Sequence, residues 1–347
     1  MKNTMLAAVY RGVGDLRLEK RPVPILREAR DAIVRVTRST ICTSDLHILR
    51  GAVPRARPGI TLGHEFVGEI VETGDGISSL KPGDRVAANC ETFCGECWYC
   101  RRGYVNNCEK GGWELGCRID GCQAEYVRVP FADTGLTRLP DTVSDEDALF
   151  LGDILSSAYW GAQLAEIQDG DTVAVIGAGP VGLCAAQCAR LLGAGTVIVL
   201  EPDAFRRQTA LENHLADVTL EPGTEAIQHI HGLTGGRGAD AVIEAAGAAD
   251  TFSLAWRIAR PNAVVVLVAM YEQPQVLPLP EMYGKNLIFK TGGVDACRCG
   301  ELLGHIAAGR LRTDFLITHR APLADIAEGY RVFGGRLDCC IKWVVTP

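Results

Sequence analysis

The sequence predicts an α/β protein in two parts: a doubly wound parallel sheet in its second half, and a mostly antiparallel, cysteine-rich part before it. Three observations carry that prediction. Residues 171–193, DTVAVIGAGPVGLCAAQCARLLG, read as strand, glycine turn and helix in that order. Apolar runs and helical patterns then alternate down to about residue 295. Before them, short alternating runs broken by Pro and Gly surround five cysteines crowded into residues 90–108.

The first observation is the most specific. Thr172 to Ile176 is a β-branched apolar run, as a buried parallel strand requires. Gly177 permits the tight turn, Gly179 lets backbone approach a pyrophosphate, and Gly182 lets helix pack on strand, with Pro180 and Val181 between them. The helix N-terminus then offers free N–H groups to phosphates. A second strand, Thr196 to Leu200, ends at Glu201, nineteen residues after Gly182, where a carboxylate accepts the ribose hydroxyls of NAD. The spacing predicts further strands near 240–245, 263–269 and 286–290, and helices near 203–213, 224–231 and 249–258. Arg206 and Arg207 would favour NADP if turned inward, Arg206 then touching the cofactor, but five and six residues past the strand end they read as exposed helix residues.

At 347 residues the chain is long enough for two cores, and 47% hydrophobic with 22% charged residues is an ordinary globular composition. A net charge of −7 argues against nucleic acid or an anionic membrane as partner. No apolar run is long enough to span a membrane, and MKNTMLAAVYRG lacks a signal-peptide core, so a cytoplasmic protein is expected.

Fourteen cysteines in a reducing compartment point to metal before disulfides. Cys94, Cys97 and Cys100 stand at C-x-x-C-x-x-C spacing with Cys108 beyond, four thiolates suited to a closed, structural Zn²⁺ site. An iron–sulfur cluster lacks an electron-transfer domain to serve, and a nucleic-acid zinc ribbon lacks basic flanks. Cys90, Cys117, Cys122, Cys184, Cys188, Cys297, Cys299, Cys339 and Cys340 read as small buried hydrophobes. Cys42 and His64 are a pair that zinc favours, but such a separation is common by chance, and taken alone it favours a buried thiol and a packed histidine. Asp153, after the short helical stretch Asp145 to Leu151, reads by itself as a helix cap. Residues 300–310 read as a helix and Ile341 to Val345 as a last strand.

Taken together, Cys42, His64-Glu65, the four cysteines, Asp153 and GAGPVG resemble the zinc-containing medium-chain alcohol dehydrogenases over the whole chain. Gly63-His64-Glu65-Phe66-Val67-Gly68 and Pro82-Gly83-Asp84-Arg85-Val86 resemble the family's zinc-domain signature. Gly121-Cys122-Gln123-Ala124-Glu125-Tyr126-Val127 and Leu151-Gly152-Asp153-Ile154-Leu155 resemble the formaldehyde-dehydrogenase-like and secondary-alcohol branches. The resemblance implies a GroES-like, β-barrel-like catalytic domain from residues 1–153 and 296–347, and a Rossmann domain over 154–295. It implies that Cys42, His64 and Asp153 hold a catalytic zinc, with Glu65 behind or transiently on it. Hydride then passes between a primary or secondary alcohol and NAD by way of a zinc-bound alkoxide. Ser44 matches the family's relay hydroxyl and His47 the imidazole that passes the proton to solvent. Ser157 and Val181 match positions touching the nicotinamide, and Ala269 stands where many relatives have Gly. Cys297 and Cys299 have no counterpart with an assignable role. A homo-dimer or homo-tetramer is expected.

Trp113 resembles a pocket-lining tryptophan of the secondary-alcohol branch, although packing beneath the cysteine lobe suits it nearly as well. Met270 or Tyr271 would line the other side. An apolar wall favours aliphatic or aromatic alcohols over sorbitol-like polyols or L-threonine, whose extra polar groups would lose hydrogen bonds. A metal- or redox-sensing relative would not need Ser44, His47, Glu65 and Asp153 together, and a zinc-free quinone or enoyl reductase would not need the ligands.

Overall fold

The computed structural model describes residues 3–347. Seven strands lie before residue 156: β1 (Thr4–Gly12), β2 (Asp15–Pro22), β3 (Ala32–Thr40), β4 (Phe66–Thr73), β5 (Arg85–Ala88), β6 (Tyr126–Val129) and β7 (Leu136–Arg138). Six follow in the middle: β8 (Thr172–Ile176), β9 (Thr196–Leu200), β10 (Val218–Leu220), β11 (Ala239–Glu244), β12 (Ala259–Leu267) and β13 (Ile288–Thr291). The last two are β14 (Ile317–Pro322) and β15 (Lys342–Thr346). The chain divides into a discontinuous unit, Met1–Ser156 with Asp295–Pro347, and a continuous one, Ser157–Val294.

The continuous unit is a six-stranded, all-parallel sheet in the order β10-β9-β8-β11-β12-β13. That order, winding outwards both ways from β8, is the Rossmann arrangement, and the crevice at the carboxyl ends of its central strands is where ligands bind. β8 and β9 are buried from their second residue onward, which is why their sequences are unbroken apolar runs rather than alternating ones. Ala174, Ile176, Ile198, Leu200, Val242 and Val265 form the middle of this core. The sequence reading missed β10, three half-buried residues too short to show a period.

In the discontinuous unit, β14-β15-β3-β4-β5-β7 form one sheet, with β6 also pairing on β3, while β1 and β2 form a hairpin. All these pairs are antiparallel except β14 with β15. One core lies under β3, β4, β5 and β6, built on Val34, Phe66, Val86 and Val127. A second joins Ile41, Ile48 and Leu62 to Tyr330, Phe333 and Trp343, so the last part of the chain completes what the first part begins. The helix Ile326–Gly334 was not anticipated, although Ile326, Tyr330 and Phe333 recur at helical spacing and all are buried.

The expected helix over 145–151 is instead a single turn, Asp145–Ala148, followed by a wide π-type turn at Leu151–Leu155. Such turns recur at functional sites because they re-aim a side chain. Cys297 and Cys339 are exposed, not buried as the sequence reading had them. Cys297 lies in the irregular segment before the helix Cys299–Ala307, and Cys339 lies in a turn before β15 with a left-handed φ of 57°. No helix among the described residues is long and apolar enough to cross a membrane.

Candidate active site and metal centres

Three local structures bring four donors together. Cys42 immediately precedes the helix Thr43–Leu49, His64 and Glu65 lie in the segment leading into β4, and Asp153 is carried by the wide turn that follows Asp145–Ala148. Asp153 Oδ2 is 3.4 Å from Cys42 Sγ and 3.2 Å from His64 Nε2. One donor atom from each of Cys42, His64, Glu65 and Asp153 lies within 4.8 Å of the others. Tetrahedral Zn–N, Zn–O and Zn–S bonds imply ligand separations of about 3.3–3.8 Å, so the three donors of the expected set fit one zinc ion.

The four donors act strongly on one another. Burial, then the carboxylates of Glu65 and Asp153, push the Cys42 thiol up to about 11. Burial likewise carries Glu65 up to about 7, against the pull of Lys342. Asp153 is also pushed up by burial, but the hydrogen bond and charge of His64 prevail and hold it below the usual carboxylate range. Burial pulls His64 down, but Asp153, Cys42 and Asp45 raise it well above the ordinary imidazole range, so the four donors are held together by strong mutual electrostatics.

Lys342 joins this set. Its ammonium donates to both Glu65 oxygens, at 2.7 and 3.0 Å, and to the Ile41 carbonyl at 3.1 Å, and both side chains are about 1% exposed. The sequence reading passed over this residue, yet a lysine inside Ile341-Lys342-Trp343-Val344-Val345 is a visible anomaly. Asp45 was also missed. It is buried, and one oxygen lies 3.6 Å from His64 Nδ1.

Ser44 is half-buried, with its hydroxyl 3.6 Å from Cys42 Sγ, and His47 lies three residues further along the same helix, which places both on one face. Trp113 meets His64 edge-on at 5.7 Å, and the Arg55 guanidinium stacks over its ring at 4.8 Å. Trp113 packs against the core containing Leu62 and Cys117, not among the residues of the cysteine lobe.

In that lobe Cys94, Cys97, Cys100 and Cys108 bring their sulfurs within 4.8 Å of one another, with Cys94 and Cys100 3.9 Å apart. Backbone N–H groups of Cys94 and Lys110 donate to Cys108 Sγ, and those of Cys97 and Cys100 donate to Cys94 and Cys97. Such bonds stabilise thiolates, and they draw Cys97 down to about 6. Burial and neighbouring sulfur push Cys100 up instead. Four sulfurs at this spacing fit a closed tetrahedral zinc.

In the parallel-sheet unit Gly177 has a φ of +95°, and Gly182 lies so close to the Gly177 carbonyl that an added Cβ would sit 1.8 Å from its oxygen. The helix Pro180–Leu191 begins with Pro180 in its first turn, before Val181. Glu201 is buried at the end of β9, and its carboxylate accepts from the Ala178 N–H at 2.7 Å and the Asp203 N–H at 3.1 Å. Arg206 and Arg207 are half-buried rather than exposed. Arg207 turns back on the Glu201 and Pro202 carbonyls, and an Arg206 nitrogen lies 3.8 Å from where a Gly179 Cβ would be. The short first turn after β9 brings both guanidinium groups to the strand end. Ser157 is buried near the start of Ser156–Leu164, and Ala269 lies half-buried after β12 beside Gly247. Met270 is exposed, while Tyr271 bonds Thr251 Oγ1 at 3.1 Å and packs with Phe252, Trp256 and Met282.

The chain matches two family models, the alcohol dehydrogenase GroES-like domain over residues 28–141 and the zinc-binding dehydrogenase over residues 180–297. It is similar to the alcohol dehydrogenase of Cupriavidus necator, 36% identical with 100% of each chain covered. It is also similar to the NADP-dependent isopropanol dehydrogenase of Thermoanaerobacter brockii, 35% identical over 83% of this chain and 84% of the relative. Among solved structures, zinc dependent alcohol dehydrogenase 2 from Streptococcus pneumonia in its apo form is 34% identical, with a TM-score of 0.94 over 99% of this chain and 98% of that one.

Proposed function

The chain belongs to the zinc-containing medium-chain alcohol dehydrogenases and is an NAD(P)-dependent oxidoreductase of alcohols, and on that premise we propose that Cys42, His64 and Asp153 hold its catalytic zinc. The convergence of their donor atoms, with Asp153 Oδ2 3.2–3.4 Å from the other two, carries the reading. When bound there, zinc would act as a Lewis acid on the alcohol oxygen, and the dinucleotide would take the hydride. The chain's own residues do the rest. Ser44 accepts the alcohol proton at its hydroxyl and gives up its own toward His47, whose imidazole releases it to solvent. Lys342 keeps Glu65 ion-paired beside the ligands, so that Glu65 adds negative charge behind them without leaving a buried anion unpaired. Trp113 shields His64 from water on one side. The four cysteines from Cys94 to Cys108 hold a second, structural zinc.

The dinucleotide is NAD. Support comes from Glu201, a carboxylate at the end of β9 whose bonds to Ala178 and Asp203 hold it at the ribose position, where a 2′-phosphate would be repelled. The half-buried arginines beside it pull toward NADP, and Arg207 is engaged with backbone carbonyls. The substrate is a primary or secondary aliphatic or aromatic alcohol, in keeping with the indole face beside His64.

Elemental analysis with steady-state kinetics tests the proposal. Two zinc ions per chain and a higher kcat/KM with NAD⁺ than with NADP⁺ are expected, on isopropanol or benzyl alcohol ahead of sorbitol and threonine. Full activity with one zinc would refute the two-metal assignment, and each reversed ranking would refute its own part.

A further inference from the structure

The segment that carries His64 is gripped from behind by a buried polar chain. Asp45 and Gln123 are 0% exposed and Tyr330 is 8% exposed. The Gln123 amide nitrogen donates to Asp45 Oδ2 at 3.0 Å and to the Thr40 carbonyl at 3.3 Å. Its amide oxygen accepts from the Tyr330 hydroxyl at 2.8 Å, and Tyr330 sits on the helix Ile326–Gly334. Asp45 Oδ2 also accepts the Cys42 N–H at 2.9 Å. The other oxygen, Oδ1, has no hydrogen-bond partner and stands 3.6 Å from His64 Nδ1, itself unpartnered.

The arrangement is directional. Both amide hydrogens of Gln123 are used on acceptors and its oxygen on a donor. Turning the amide over would set its oxygen against a carboxylate and a carbonyl, neither of which can donate. Asp45 and Thr40, which can only accept, thus fix which way Gln123 faces; Tyr330 anchors the amide oxygen at the far end, and Gln123 in turn fixes Oδ2 of Asp45. With Oδ2 pinned from two sides, Oδ1 can point only toward His64. The backbone acts in the same sense: Gln123 N–H donates to the Leu62 carbonyl at 2.9 Å and Cys122 N–H to the Gly63 carbonyl at 3.0 Å, the two residues just before His64.

We propose that Gln123 and Tyr330 are positioning residues for the metal ligand His64, acting through Asp45 and setting how tightly the catalytic zinc is retained. The proposal rests on the assignment of His64 as a zinc ligand. Groups that orient a ligating histidine commonly govern metal affinity by about 10- to 100-fold. Gln123→Leu removes both amide donors and leaves Asp45 Oδ2 with one. Tyr330→Phe removes a single hydroxyl, keeps the ring in its core, and leaves the Gln123 amide oxygen buried without its donor, so the amide is anchored only from the Asp45 side.

Zinc-loaded protein is challenged with excess EDTA, and release is followed with a metal-indicator dye alongside the visible spectrum of the cobalt-substituted protein. Two release phases are expected, and the four-cysteine metal serves as the internal reference. Gln123→Leu should speed the catalytic-site phase roughly 10-fold and shift the cobalt bands, and Tyr330→Phe should do so by a smaller factor, with the reference phase unchanged in both. Parent release rates and parent cobalt bands in folded Tyr330→Phe and Gln123→Leu would overturn the proposal. Should Gln123→Leu not fold, Tyr330→Phe decides alone. A parent protein with only one release phase would overturn the ligand assignment itself, a different failure from two phases that the variants leave untouched.

Discussion

Gly152→Ala is expected to damage the enzyme far more than one methyl group suggests. Gly152 precedes Asp153 in the wide turn, and a Cβ there would lie 1.8 Å from the Ala88 carbonyl oxygen and 2.8 Å from the Asn89 Cα. Contacts of this kind below 3.0 Å do not persist, so at least 1.2 Å must open between the turn and the end of β5. Both sides are backbone and neither has a rotamer to yield. The opening also stretches the bond from the Cys90 N–H to the Gly152 carbonyl, now 3.1 Å. Overpacking of about 1–3 kcal/mol and a lost hydrogen bond of about 1 kcal/mol give roughly 3 kcal/mol of destabilisation. At about 2–4 °C per kcal/mol, Tm should fall by roughly 6–12 °C. Since Asp153 rides on the same turn, a displacement near 1 Å should lower kcat/KM by about 100-fold. Thermal unfolding and alcohol oxidation on one preparation measure both. A variant within 1 °C of the parent in Tm (about 0.3 kcal/mol) and equal to it in kcat/KM would show that the turn is not wedged against β5.

Asp153→Asn should abolish turnover while elemental analysis still finds the four-cysteine zinc; loss of both metals would mean that the sites are not independent. Lys342→Met leaves Glu65 buried without its cation and should destabilise by about 3–5 kcal/mol in denaturant titration, whereas Lys342→Met with Glu65→Leu should recover much of that. Equal stability of the single and double variants would remove the ion pair from the argument. Glu201→Ser should lower kcat/KM with NAD⁺ by roughly 10- to 100-fold, the worth of one charge-assisted hydrogen bond, and narrow the preference over NADP⁺; an unchanged ratio would place the ribose elsewhere. Burial pushes Glu91 up to about 8 from an ordinary 4.5, so the folded state binds a proton there that the unfolded state does not between those values. Stability should therefore fall as pH rises through that window, by up to roughly 5 kcal/mol, and Glu91→Gln should flatten the fall. Parallel pH profiles for parent and variant would count against it.

What could be read from the sequence depended on how local its cause was. The glycine turn and the four cysteines are set by spacing within about twenty residues, and both stand in the structure as the spacing requires. Cys42, His64 and Asp153 came from family likeness, because nothing near Asp153 tells a ligand from a helix cap. Its orientation depends on a turn shaped by contact with β5. The partners behind the ligands are remote in sequence. Lys342 is 277 residues from Glu65, and Tyr330 is 207 from Gln123. Lys342 was nonetheless marked by its setting, a lysine among apolar neighbours. Tyr271 shows the opposite limit: nothing near it in the sequence marks the hydrogen bond to Thr251 or the ring cluster around Phe252 against which it packs.

The placement of Lys342 has a consequence for how the protein is made. The unit Ser157–Val294 is continuous, so all its strands have left the ribosome while the other unit still lacks its closing segment. Domains fold as units during synthesis, the earlier ones first. For the discontinuous unit, order of emergence and order of completion are opposed. Cys42, His64, Glu65 and Asp153 have all been translated when the Glu65 carboxylate still has no cation to pair with, and β3 has no β15 beside it. A nascent chain stalled short of residue 342 therefore carries every proposed zinc donor and yet cannot bury them together without stranding an anion. Metal capture at that site should be a late, release-coupled event, whereas the four cysteines proposed to hold the structural zinc have all emerged by residue 108 and could close on a metal long before translation ends.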